Sequence, residues 1–338
     1  MMLRAIKRAA FALGAGVLAF QPLQTAVAQD YASSFDSVLG TDFRSPKDFR
    51  ASYSSPLEAA VARAADGGKG RIGVAAIDLA TGREIAILGD QRFPMASTSK
   101  IAIAATFLDG VDKGRWSLSS EFPLLVPVAS KPFSTSIAPV RKGNYMSAHQ
   151  LIDLMITRSS NQATDALLAV IGGPEAVNRW MQKAGITDFR IDRDIATLVR
   201  DDGEFDPVSH IDQRDSASPR AMVQLLSGLH QGRWLSDSSR RVIMSAMERC
   251  ITGKRRIPAL LPAGVQVAHK TGSLNNTSSD IGFITGADGR TYAVAIYVTG
   301  QGARLAREER IAQIARAIYD GYSALPATEN TNWVNARY

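Results

Sequence analysis

Three short segments carry side chains able to do covalent chemistry: Ser97-Thr98-Ser99-Lys100, Ser159-Ser160-Asn161 and Lys270-Thr271-Gly272-Ser273. Each is commonplace alone; the ordered set is what carries meaning. Ser97 and Lys100 are three residues apart, so on a helix an amine sits one turn along the same face as a hydroxyl. A serine hydroxyl is a poor nucleophile at neutral pH and needs a base and a site for the oxyanion formed on attack. Lysine can be that base when burial and a second cation disfavour its ammonium form, and Lys270 is the candidate second cation. A helix start at Ser97 adds partial positive charge where negative charge would develop. Read alone, Ser97 is a helix N-cap; read with the other two segments, it is a nucleophile.

Ser159-Ser160-Asn161 falls between the apolar runs Leu151 to Thr157 and Ala163 to Val170, and reads as a turn joining two helices. Facing Ser97, Ser159 would relay a proton to a leaving amine, and Asn161 would offer an amide to substrate and an acceptor to Lys100. Val265 to His269 is strand-like, which puts Lys270 to Ser273 on a strand. Lys270 and Thr271 would hold a substrate carboxylate, Gly272 would leave room for a substrate backbone, and the amides of Ser97 and Ser273 would converge as an oxyanion hole. The four histidines, His149, His210, His230 and His269, include no pair at metal-ligand spacing, so neither a metal nor a cofactor is expected.

The elements that must position these groups follow from periodicity. Leu57, Ala60, Val61 and Ala64 recur at helical spacing, with Gly67-Gly68 as the stop. Arg71 to Leu79 and Arg83 to Leu88 form one hairpin pattern, and Asp280 to Thr285 and Thr291 to Thr299 form another. Ala306 to Tyr322 is an amphipathic helix. Strands at both ends with helices between them predict an α+β fold: a mainly antiparallel sheet built from N- and C-terminal segments, flanked by helices, with an all-helical subdomain inserted at about 97–260. The cleft would lie between the two halves.

Residues 1–28 read as a secretory signal, with Arg4, Lys7 and Arg8 before an apolar run from Ala9 to Phe20 and then Ala26-Val27-Ala28. The run is too short to span a bilayer, so no stable membrane anchor is expected after cleavage and the mature chain should be periplasmic. Residues 29–55 read as a linker, 56–325 as one catalytic domain and 326–338 as a tail. Cleavage removes three of the +7 formal charges, and the remaining basic residues are scattered. Lys254-Arg255-Arg256 and Arg240-Arg241 read as ordinary solvated clusters, so no nucleic acid partner is expected. Cys250 is the single cysteine, which excludes a disulfide framework; the 45% hydrophobic content must supply the core of what is expected to be a monomer.

At this point the chain resembles the class A serine β-lactamases, in the superfamily shared with the penicillin-binding D,D-peptidases. The resemblance runs over nearly all of Pro56 to Tyr322. Phe93-Pro94-Met95-Ala96-Ser97-Thr98-Ser99-Lys100, Ile156 to Asn161, Ile171-Gly172-Gly173-Pro174, Arg214 to Pro219 and Leu261-Pro262-Ala263-Gly264 all fall at matching places. It implies Ser97 as the acylated nucleophile, Lys100 as its base or proton relay, Ser159 as proton donor to the β-lactam nitrogen and Asn161 as a substrate ligand. It also implies that Lys270, Thr271 and Ser273 bind the carboxylate and oxyanion. The substrate would be a β-lactam or a peptidoglycan-peptide-like small molecule.

The chain departs from that pattern twice. Ser160 stands where aspartate is usual, and Ile195, within Arg190-Ile191-Asp192-Arg193-Asp194-Ile195, stands where a loop glutamate activates the deacylating water. The loop is also longer than the pattern, with Arg193 and Asp215 as the pair expected to close it and Glu204 or Asp194 as displaced bases. Three readings stay open: a β-lactam hydrolase, a penicillin-recognising protein or D,D-peptidase that deacylates slowly, and a non-catalytic cell-wall-binding module.

Overall fold

The computed structural model describes residues 53–326. The signal segment, all but the last three residues of the linker, and the tail from residue 327 lie outside the described residues. The first element, α1 (Pro56–Ala64), starts where Ser55 accepts a hydrogen bond from the Glu58 amide and Pro56 fixes the first turn; it buries Leu57 and Val61.

A five-stranded antiparallel sheet follows from the two hairpin patterns. Its strands are β1 (Ile72–Asp78), β2 (Glu84–Ile87), β8 (Gln266–Leu274), β9 (Thr277–Thr285) and β10 (Thr291–Thr299), in the order β2-β1-β10-β9-β8. The termini meet in register at its centre, with Ala75 opposite Ala295. Side chains alternate between two cores. Val74, Ala76, Ile284, Val294 and Ile296 pack under α1 and the C-terminal α9 (Arg304–Ser323), whereas Ala75, Ile77, Ile281, Phe283, Ala293 and Tyr297 face the helices of the insertion. Each fully buried aliphatic side chain of this kind contributes about 1.5–3 kcal/mol. The layout leaves β8 as the edge strand beside the inserted half.

The inserted region consists mainly of helices: α2 (Lys100–Asp112), α3 (Ala148–Thr157), α4 (Asn161–Ile171), α5 (Pro174–Lys183), α6 (Ile195–Arg200), α7 (Pro219–Gln231) and α8 (Asp237–Glu248). It is not helical throughout, however. A ribbon of β4 (Glu121–Pro127) and β5 (Val140–Ser147) lies between α2 and α3, and β3 (Phe93–Pro94), β6 (Phe189–Arg190) and β7 (Ser216–Ala217) form a small sheet in the order β3-β7-β6. The ribbon's side chains are half-buried or exposed on both faces, so it lacks the alternation by which a strand is read. β9 likewise begins three residues before the predicted Asp280, because Thr277, Ser278, Ser279 and Asp280 are polar yet buried.

Candidate active site

Ser97 lies in a 3-10 turn, Ala96–Ser99, that runs directly into α2, so the Lys100 amide bonds back to the Ser97 carbonyl. The turn is entered through Ala96 at φ +49, a left-handed conformation that a β-carbon disfavours. Two anchors hold it there. The Met95 amide donates to the Asp215 carbonyl at 3.0 Å, and the Thr98 hydroxyl bonds the Met95 carbonyl and the buried Tyr297 hydroxyl. Against the other side of the turn lies Gly272, where a β-carbon would meet Ser279 Oγ at 2.4 Å and the Met95 carbonyl at 2.6 Å. The space that Gly272 leaves is therefore filled by the turn that carries Ser97. The expected room for a substrate backbone is not what this glycine provides.

Lys100 is fully buried, and its Nζ donates to the Ser159 carbonyl (2.8 Å), Asn161 Oδ1 (2.8 Å) and Ser159 Oγ (3.2 Å). No direct hydrogen bond joins it to Ser97 Oγ. Lys270, also fully buried, reaches Ser159 Oγ from the opposite wall at 3.0 Å and the Thr271 carbonyl at 2.8 Å. Ser159 is thus the meeting point of both amines, and its backbone is at φ +57. Burial, reinforced by the Lys270 charge, pushes the Lys100 ammonium well below the ordinary lysine range, and burial lowers Lys270 to about 8. A neutral Lys100 keeps two N–H donors for its two 2.8 Å contacts and has a lone pair left to take a proton.

Ser160, the departure from the family pattern, caps α4: its side chain accepts from the Ala163 amide, as an aspartate there would. On β8, Thr271 and Ser273 point together, away from Lys270. The buried Thr271 hydroxyl bonds Thr252 at 2.7 Å, whereas Ser273 is exposed and its hydroxyl accepts from Arg256 at 2.7 Å. Of this pair, Ser273 is the one open to a ligand.

Arg256 is the side chain that sequence reasoning missed. Read as part of a solvated basic cluster, it is 1% exposed and spans the back of β8. It donates to the carbonyls of Gly272 (2.8 Å) and Ser279 (2.7 Å) and pairs with the buried Glu308. Glu308 is 52 residues away, and no local pattern announces the pairing. Behind Lys270, His269 Nδ1 lies 2.8 Å from the buried Asp280 carboxylate, which ties this histidine into the wall.

The loop between β6 and β7 closes as expected through Arg193, whose Nε lies 2.6 Å from Asp215 Oδ2. Asp215 Oδ1 also accepts from the amides of Asp192 and Arg193. Ile195, buried, opens α6, and its amide and that of Ala196 donate to Asp165 on α4 at 2.7 and 2.9 Å. The loop acids named as displaced bases are both engaged: Asp194 caps α6 through the Thr197 amide, and Glu204 pairs with Arg214 at 2.7 Å. Glu204 also lines, with Phe205, Arg214, Leu274 and Asn275, a small cavity of about 60 Å³.

With this geometry in hand, comparison with known proteins is informative. The description "Beta-lactamase enzyme family" matches residues 56–322. The chain is 32% identical over 260 residues to β-lactamase CTX-M-25 of Escherichia coli, covering 75% of this chain and 84% of that protein. It is 29% identical over 242 residues to the extended-spectrum β-lactamase PER-1 of Pseudomonas aeruginosa, covering 68% and 75%. The solved structure of an ancestral class A β-lactamase superposes with a TM-score of 0.67 at 32% identity, over 78% of this chain and 99% of that one. A family match over the whole catalytic domain, carried by a shared fold and the three motifs around one cleft, makes this chain a member of the β-lactamase enzyme family, of the class A serine type.

Proposed function

We propose that the protein hydrolyses the cyclic amide of β-lactams through an acyl-enzyme on Ser97. The observation that carries this reading is the convergence of two buried amines on Ser159 Oγ, at 3.2 and 3.0 Å, one of them Lys100, which lies one turn after Ser97. In the proposed sequence neutral Lys100 takes the Ser97 proton as Oγ attacks the β-lactam carbonyl carbon, and the amides of Ser97 and Ser273 receive the oxyanion. The C–N bond then breaks, with the proton passing from Lys100 through Ser159 Oγ to the leaving nitrogen. The exposed Ser273 hydroxyl holds the substrate carboxylate, the buried Lys270 contributes its charge from behind Ser159, and Asn161 donates its amide to the substrate. The signal-like residues 1–28 support export to the periplasm, where such substrates are met; a mature chain found still carrying Met1 would count against it.

A second reading is favoured by the buried Ile195 and by the engagement of every named loop acid: acylation proceeds and deacylation is slow, as in a penicillin-recognising protein. One experiment separates the two. A chromogenic cephalosporin followed by absorbance, with intact mass taken in parallel, gives sustained turnover for a hydrolase and one stoichiometric burst with a persistent adduct for a trap. Ser97→Ala should abolish the adduct in both cases; an adduct on that variant would overturn the nucleophile assignment.

A further inference from the structure

The ribbon of β4 and β5 has no place in the reaction just described. From Phe122 to Ile152 the sequence holds no aspartate or glutamate, while Lys131, Arg141 and Lys142 give the stretch a charge of +3. All three side chains are exposed and make no ion pair among the described residues. Between them large apolar groups stand in water: Phe133 is 57% exposed and Ile137 66%, and Val128, Val140 and Tyr145 are exposed as well. Single exposed hydrophobic residues are ordinary, but five on one ribbon are a patch of the kind that marks a contact surface.

The tip of the ribbon is built and not loose. Asp201 Oδ1 accepts the Phe133 amide at 2.9 Å, Thr197 Oγ1 accepts the Ala138 amide at 2.8 Å, and Arg200 donates to the Thr135 carbonyl at 2.6 Å. These bonds hold Phe133 at φ +59, a left-handed backbone that a bulky residue rarely adopts. The backbone is fixed, and the apolar side chains are left outside.

We propose that this ribbon docks the protein reversibly on an anionic phospholipid bilayer. Phe133 and Ile137 enter the headgroup layer, and Lys131, Arg141 and Lys142 meet lipid phosphates. Charge selects the occupant. A second copy of the chain would set +3 against +3. A folded partner needs a groove or a matched face, whereas residues 127–142 are exposed everywhere except at Ser130 and Ala138. A fluid surface moulds around such an arm, and apolar residues among cations are the composition by which interfacial elements bind anionic lipid. The carboxylate that touches the tip, Asp201, is paired with Arg200, so it does not oppose the contact. Among the described residues no helix is long and apolar enough to cross a membrane, so the contact is a docking and not a span.

The test uses the whole chain sedimented with vesicles of phosphatidylglycerol and phosphatidylethanolamine. Wild type and variants share one N-terminus, so any lipid affinity of the N-terminal residues is common to all. The triple variant Lys131→Gln, Arg141→Gln, Lys142→Gln should bind roughly a hundredfold more weakly, about fivefold for each cation removed. Phe133→Ser with Ile137→Ser should bind at least about tenfold more weakly. Either variant binding as wild type, or wild type binding phosphatidylcholine vesicles equally well, overturns the proposal. So does retention of the wild type by isolated peptidoglycan with none by vesicles. A wild-type melting temperature shows that each variant is folded; where one is not, amide exchange of the wild type decides. Vesicles should then slow exchange across 127–142, and protection confined to other segments refutes the docking. Neither measurement depends on whether Ser97 is acylated.

Discussion

The strand wall that carries Lys270 and the loop between β6 and β7 are held by different means. β8 is laddered to β9 over its whole length, from Gln266 to Leu274, and backed by Arg256, whose guanidinium reaches two strand carbonyls, Ser273 Oγ and Glu308. Its charged groups are buried, and Lys270 is aimed at Ser159. The loop ends instead in two-residue strands and closes through Arg193 and Asp215. Its acids are spent on its own shape: Asp194 on α6, Asp202 on the Asn275 amide, Glu204 on Arg214, and Asp201 on Arg200 and the Phe133 amide. The difference suggests that acylation depends on side chains fixed by the sheet and by the packed start of α2. In the proposed reaction, release of the acyl group has to work without a loop carboxylate standing free.

The sharpest test of the acylation half of the comparison is Lys100→Ala, at the packed start of α2. The other groups around Ser97 remain, so binding persists, while loss of the proton acceptor should slow acylation by on the order of 10² to 10⁴-fold. Stopped-flow absorbance at saturating cephalosporin reads this directly. An unchanged rate would move the base elsewhere and end the contrast between wall and loop.

Arg256 tests whether the wall depends on its backing. In Arg256→Ala the Gly272 and Ser279 carbonyls lose a donor and the buried Glu308 loses one of three arginine partners. Removing one side of a buried pair costs about 3 kcal/mol or more, and a domain of this size should then melt on the order of 10 °C lower. Calorimetry showing a melting temperature within about two degrees of wild type would mean that water or Arg304 substitutes fully for the guanidinium.

What could be read in the sequence follows the same division. Ser97, Lys100, Ser159, Asn161 and Lys270 were legible because each motif is local, and the two hairpin patterns with helices between them placed the motifs on one cleft. Long-range satisfaction of buried polar groups was not legible. Arg256 looked like a surface charge because Glu308 is on α9; Thr277 to Ser279 did not look like a strand because they are polar, and Ser278 and Ser279 are met by Arg307 and Arg256 from elsewhere. Asp165 lay unremarked within an otherwise buried helix face, its amide partners 30 and 31 residues away. Gly272 was assigned to the right strand for the wrong reason, since only coordinates show which backbone fills the space beside it.

Glu204→Gln carries the smallest expected effect and bears most directly on the loop. Its carboxylate shares Arg214 with Asp212, and both members of the Glu204–Arg214 pair are about a third exposed. An ion pair so placed contributes roughly 0–1 kcal/mol, and Asp212 still holds the arginine in the variant. Melting temperature should therefore barely move. Turnover should stay within about twofold, because the carboxylate is held by Arg214 and is not free to turn toward Ser97. The informative quantity is the ratio of the two half-reactions. If deacylation fell a hundredfold with acylation intact, Glu204 would be the displaced base, and its bond to Arg214 would be one conformation of a side chain that turns toward the acyl-enzyme. If both half-reactions are unmoved, the water that would free Ser97 has to be activated from the α2 side of the cleft, where the buried Lys100 is the titratable group at hand.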